Sequence, residues 1–130
     1  MSTVHAHIKK DHFKTEIKSE KNTLWADEPL VNGGEELGFS PSELLAASLS
    51  ACTSITLRMY ADRKGWPLEE VKVEVNFERD TTANTSKITR NIALIGNLDE
   101  GQRNRLLDIA NLCPIHKTLS NPISIFSFLT

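Results

Sequence analysis

Ser40 to Pro67 reads SPSELLAASLSACTSITLRMYADRKGWP, a segment with its own start, body and stop. Ser40 suits a helix N-cap, Pro41 the first helical position and Glu43 the third, so Ser40 and Glu43 can exchange hydrogen bonds as a capping box. Gly65 supplies a stop and Pro67 prevents continuation, which predicts a helix from Pro41 to about Lys64. At about 100° of rotation per residue, Leu44, Leu45, Leu49, Cys52, Ile55, Met59 and Tyr60 share one broad apolar arc. Ala46, Ala47, Ser50, Ser54 and Ala61 lie opposite, small enough for another element to approach closely. Such a helix, with few charges before Arg58, should be covered on most sides. A chain of 130 residues has little material to cover it, so a second subunit is expected.

On the N-terminal side, Val4, Ala6 and Ile8 alternate with polar residues, as do Phe13, Thr15 and Ile17. With Leu24-Trp25-Ala26 after the turn-like Ser19–Asn22, they predict a small antiparallel sheet. Residues 28–40 read as a loop turning at Gly33-Gly34. On the C-terminal side, Val71, Val73, Val75 and Phe77 alternate with Lys72, Glu74, Asn76 and Glu78, a half-solvated strand. A polar loop from Asp80 to Ser86 leads to a partner strand through Ile88, Ile92 and Leu94. Asp99, with Gln102 three residues on, starts a helix expected to bury Leu106, Leu107, Ile109 and Ala110. Pro114 opens a further short helix capped by Cys113, and Ile123 to Leu129 is expected to close the chain as a strand. The order βββ-α-ββ-αα-β defines an α+β protein on antiparallel sheets, a single domain over 1–130.

Composition narrows the function. Apolar residues make up 39% and charged residues 25%, ordinary for a globular protein. Fifteen Lys and Arg nearly balance seventeen Asp and Glu, leaving a net charge of −2, so no nucleic-acid partner and no membrane surface is expected. No uninterrupted apolar run approaches the roughly 20 residues of a bilayer span, and no secretory leader is read at the N-terminus. The expected location is cytoplasmic, where both cysteines remain thiols.

Those thiols are the chemically pointed residues. Cys52 sits mid-helix on the apolar arc, where packing predicts an inert thiol. Cys113 precedes Pro114 at a helix start, where unpaired backbone amides attract negative charge. His116 faces the same side and could assist, although Cys113-Pro-Ile-His116 reads equally well as a plain capping sequence. His5 and His7 share a strand face, more in keeping with solvent exposure than with a metal. Trp25 and Trp66 read as covers of the core edge. No phosphate loop, nucleophile elbow or metalloprotease helix is present.

Ser40–Ser54 resembles the central-helix motif of the OsmC and organic-hydroperoxide-resistance superfamily, and Cys113-Pro-Ile-His-Lys-Thr-Leu119 its second cysteine motif. Order and spacing agree over nearly the whole chain. The resemblance implies an OsmC-like fold and an intertwined homodimer with its long helices at the centre and active sites at the subunit interface. It implies a cysteine-based peroxidase in oxidative-stress defence, with Cys52 peroxidatic and Cys113 resolving. The substrates would be organic hydroperoxides or hydrogen peroxide; no cofactor is implied beyond an external dithiol reductant, and no metal. Two positions depart from the hydroperoxide-resistance branch. That branch uses an arginine from the N-terminal region, whereas the first arginine here is Arg58, leaving Lys14, Lys18 or Lys21 as substitutes. It also carries a glutamate where Ser42 stands. Glu43 is a possible supporting residue, but it lies about 13.5 Å along the axis from Cys52, on the opposite face, so capping is its expected role. Two other readings remain: a non-catalytic redox-responsive or small-ligand-binding module on the same fold, and a metal-binding protein using Cys52, Cys113 and His116.

Overall fold

A computed structural model describes residues 1–130. The chain forms two compact units, 1–45 and 46–130.

In the first unit, β1 (His5–His7), β2 (Thr15–Lys18) and β3 (Thr23–Ala26) form an antiparallel sheet in that order. Its register pairs Ala6 with Ile17 and Ile17 with Leu24. The following loop folds back so that Ala26 bridges Phe39. Inside it lies Asp27, only 2% exposed. One Asp27 carboxylate oxygen accepts from the N–H groups of Phe13 and Glu28, the other from those of Glu35 and Leu37. Burial alone would push this carboxyl up; the four donors outweigh that and hold it below its ordinary value. The glycine turn expected at residues 33–34 is present as a left-handed Gly33 closing a single 3-10 turn, Leu30–Asn32.

The long helix α1 runs Pro41–Lys64. Ser40 N–H donates to Glu43 Oε1 at 2.8 Å and Glu43 N–H to Ser40 Oγ at 3.1 Å, completing the expected capping box. Gly65 ends the helix at φ +70°, a left-handed conformation costly to any residue with a Cβ. By length and composition α1 could cross a membrane, a property that the uninterrupted runs of the sequence did not suggest. Core helices of soluble proteins can share that length and composition, and three of the residues that α1 buries, Leu57, Tyr60 and Ala61, belong to a protein core.

In the second unit that core gathers Leu57, Tyr60 and Ala61 of α1 with Leu68, Leu98, Leu106, Ile109 and Ala110. The stripe α1 buries is Leu49, Thr53, Leu57, Tyr60 and Ala61; Leu49 and Tyr60 come from the expected arc, and Thr53, Leu57 and Ala61 correct it. Ile55 and Met59, expected to pack, are 54% and 68% exposed. Spacing of four residues along 49, 53, 57 and 61 selects a single face of a helix that is apolar nearly all round.

Strands β4 (Leu68–Asp80) and β5 (Thr85–Gly96) form a long hairpin with Val75 opposite Arg90. The half-buried positions of β5 are 88, 90, 92 and 94–96, so Ile88, Arg90, Ile92 and Leu94 share one face. Helix α2 (Glu100–Ala110) starts at Asp99 with a full capping box to Gln102, and α3 (Pro114–Leu119) starts at Cys113. Leu107 is 53% exposed rather than buried, because it points about 100° away from Leu106. The expected closing strand is absent: residues 121–130 join neither sheet, and Ile123, Ile125, Phe126, Phe128 and Leu129 are exposed. Alternation confers strand propensity, but a strand exists only where a neighbour completes its ladder.

Candidate active site

Where α1, β5 and the α2–α3 junction meet, a single turn of helix supplies the first group. The Thr53 hydroxyl, fully buried, donates back along α1 to Leu49 C=O at 2.7 Å. Its oxygen accepts from Arg90 Nη1 at 3.0 Å and lies 4.0 Å from Cys113 Sγ. The one hydroxyl hydrogen is committed to Leu49, so the Cys113 S–H is the donor to Thr53.

Cys113 is 0% exposed and is the N-cap of α3, its sulfur accepting from His116 N–H at 3.3 Å. The capping half of the sequence reading of this motif is present, and the cap is formed by the thiol itself. His116 contributes its ring as well: Arg90 Nη2 donates to Nδ1 at 3.2 Å, which fixes the neutral tautomer with its proton on Nε2.

Arg90 was not legible as a site residue, yet it ties the cluster together. Nη1 also donates to Ala110 C=O at 3.2 Å and Nη2 to Asn111 Oδ1 at 2.9 Å. Its four acceptors are all neutral, and the two salt bridges of the protein, Lys18–Glu16 and Arg58–Asp62, do not involve it. The guanidinium is therefore held firmly without being neutralised. One signal in the sequence pointed to it: in Ile88-x-Arg90-x-Ile92-x-Leu94 a cation takes an inward position of an alternating strand.

Cys52 is partly buried, and its sulfur lies 4.0 Å from Thr56 Oγ1. It is the chain neighbour of Thr53 and shares no hydrogen bond with Cys113, Arg90 or His116. Both cysteines are free thiols. Glu43 is engaged with Ser40 as a cap. Lys14 lies over the Trp25 ring at 4.3 Å, and Lys18 pairs with Glu16. His5 and His7 are exposed, and no group of three or more His, Cys, Asp or Glu residues is arranged to hold a metal. Elsewhere in this unit Arg105 Nε donates to the Tyr60 hydroxyl at 3.1 Å. That bond, against the opposing effect of burial and with the Arg105, Lys64 and Arg63 charges, holds the phenol below its ordinary value.

Residues 33–126 match the family model of the OsmC-like protein. The chain belongs to that family. No curated protein matches it. Among solved structures, the OsmC-like protein of Mycoplasma pneumoniae superposes with a TM-score of 0.81 at 21% identity, over 92% of this chain and 87% of that one. A Psychrobacter arcticus protein described as a putative osmotic stress induced and detoxification response protein gives 0.76 at 24% identity, over 91% and 88%. The organic hydroperoxide resistance protein OhrB of Bacillus subtilis gives 0.62 at 22% identity, over 91% and 89%. At these identities the likeness is one of fold: α+β, with antiparallel sheets and a long helix.

Proposed function

We propose that this protein is a thiol-dependent peroxidase of oxidative-stress defence, acting in the cytoplasm as a homodimer. The observation that carries the reading is the position of Thr53. It follows Cys52 in the chain and touches Cys113, so the two thiols flank one residue, one partly accessible and the other fully buried. Structures of the same fold that are described as organic hydroperoxide resistance proteins support the substrate class.

The greater accessibility of Cys52 supports the following order of events. Cys52, as thiolate, attacks the O–O bond of an organic hydroperoxide or hydrogen peroxide. An S–O bond forms, the O–O bond breaks, and the alcohol or water leaves with a proton. Cys113 then attacks the sulfenic sulfur: the S–S bond forms, the S–O bond breaks, and hydroxide takes the Cys113 proton to leave as water. An external dithiol returns both thiols by exchange, so the protein needs no cofactor of its own. No nucleic acid or membrane takes part.

Intact-mass spectrometry tests the scheme. Wild-type protein given peroxide loses two hydrogens; Cys113→Ser gains oxygen at Cys52 instead; Cys52→Ser consumes no peroxide. Oxygen gained at residue 113 in Cys52→Ser reverses the roles. If neither variant alters peroxide consumption, the enzyme reading gives way to the non-catalytic module.

A further inference from the structure

We propose that Arg90 is the positioning residue of the resolving step, acting on Cys113 through the Thr53 hydroxyl and the His116 ring; the proposal rests on the peroxidase reading above. Three features of the cluster lead to it. The guanidinium spends four N–H donors on Thr53, Ala110, Asn111 and His116 and meets no carboxylate. Its charge is thus uncompensated and stands one hydroxyl away from a buried sulfur. It also sits on an inward position of β5 otherwise held by Ile88, Ile92 and Leu94, a costly place for a cation with no task.

The hydrogen inventory says what the task is. Before reaction Thr53 Oγ1 accepts from Arg90 and from the Cys113 S–H while its own hydrogen goes to Leu49. When Cys113 gives up its proton in forming the disulfide, the developing negative charge on sulfur needs donors. The Thr53 hydroxyl hydrogen can turn from Leu49 C=O to the sulfur, and the oxygen stays in place because Arg90 still donates to it. His116 N–H already points at the same sulfur. Arg90 fastens the other side of that donor by holding Nδ1 of the His116 ring and the Ala110 carbonyl ahead of Cys113. The anion on sulfur is formed in a buried setting, where fixed dipoles and a nearby cation count for more than in water. The same arrangement assists reduction, when Cys113 or Cys52 must leave the disulfide as an anion.

The test separates two steps. Protein is mixed with one equivalent of peroxide and quenched with time; mass spectrometry follows gain of oxygen and its replacement by the disulfide. Arg90→Gln and Thr53→Val are expected to slow disulfide closure about tenfold or more, the loss of one charge-assisted hydrogen bond, and by more than they slow the first oxidation. Thr53→Ser, which keeps the hydroxyl, is expected to restore closure. Since Arg90 also fastens Ala110 and Asn111, Thr53→Val carries the test should Arg90→Gln fail to fold. Closure at the wild-type rate in the variants, or equal slowing of both steps, overturns the proposal. A wild type that forms neither sulfenic acid nor disulfide overturns the peroxidase reading instead.

Discussion

Arg90 Nη1 donates to Thr53 Oγ1 at 3.0 Å across 37 positions of sequence, joining the second strand of the long hairpin to the middle of α1. Arg90 joins four elements, since it also reaches the C-terminus of α2 at Ala110 and Asn111 and the His116 ring of α3. A planar fork is needed for this. A lysine ammonium concentrates its donors at one point and cannot reach four separated acceptors. Arg90→Lys should therefore lower the unfolding free energy by about 1–3 kcal/mol, the cost of leaving buried acceptors unmet. Urea unfolding followed by circular dichroism measures it, and an unchanged midpoint would mean that these bonds are made equally well by water.

How much of this was readable beforehand depended on range. The Ser40–Glu43 and Asp99–Gln102 capping boxes are complete within four residues, and both form as their spacing predicts. The hairpin alternation is likewise local. The buried stripe of α1 was not readable, because a helix apolar nearly all round gives no preference between the face of Ile55 and that of Leu57. The tail 123–129 shows strand alternation, yet pairing depends on a neighbour that its own residues do not specify. For Arg90, its inward place on β5 was visible in the pattern, but its partners lie on α1, α2 and α3 and only folding brings them together.

Asp27 makes a pH-dependent prediction about the first unit. Its folded carboxyl is held below the ordinary value of 3.8, with four backbone donors overcoming burial. A depressed carboxyl stabilises the fold fully above its unfolded value, and that contribution is lost as pH falls through the lower, folded value. Protection of the Phe13, Glu35 and Leu37 amides, taken as exchange relative to an unstructured chain at the same pH, should accordingly fall as the pH drops below about 4. Asp27→Asn should accelerate the same amides about tenfold or more at neutral pH, because its NH2 faces two N–H donors in place of an acceptor. Exchange no faster than wild type at these amides would show that other contacts hold the loop.

Glu43 distinguishes a cap from a catalytic carboxylate. Its Oε1 accepts from Ser40 N–H, and this bond, with one to the Ser40 side chain, holds its carboxyl below the ordinary range against a smaller effect of burial. Gln serves equally well in a capping box, so Glu43→Gln should leave both helicity and peroxide consumption near wild type. Ser40→Ala should cost about 1 kcal/mol of stability, as for other N-caps. A large loss of peroxide consumption in Glu43→Gln, with the fold intact, would instead make Glu43 a participant in the reaction.

The proposed dimer rests on what the second unit leaves uncovered. On α1, Ile55 and Met59 stand in solvent on the side away from Leu57 and Ala61, and the tail exposes Ile123, Ile125, Phe126, Phe128 and Leu129. Burying apolar surface is worth about 25 cal/mol per Å², so covering several such side chains at once favours association. Sedimentation at micromolar concentration should give about twice the 14.5 kDa chain mass. Met59→Lys places a charge on the exposed helix face and should shift the mass toward that of one chain; Ile55→Lys should do the same. Removal of residues 122–130 tests the tail separately, since a strand supplied to a neighbouring copy contributes both backbone ladder and side-chain contact. If the wild type sediments as a stable single chain, neither surface is covered by a second copy. The Cys52 and Cys113 chemistry would then have to be complete within one subunit.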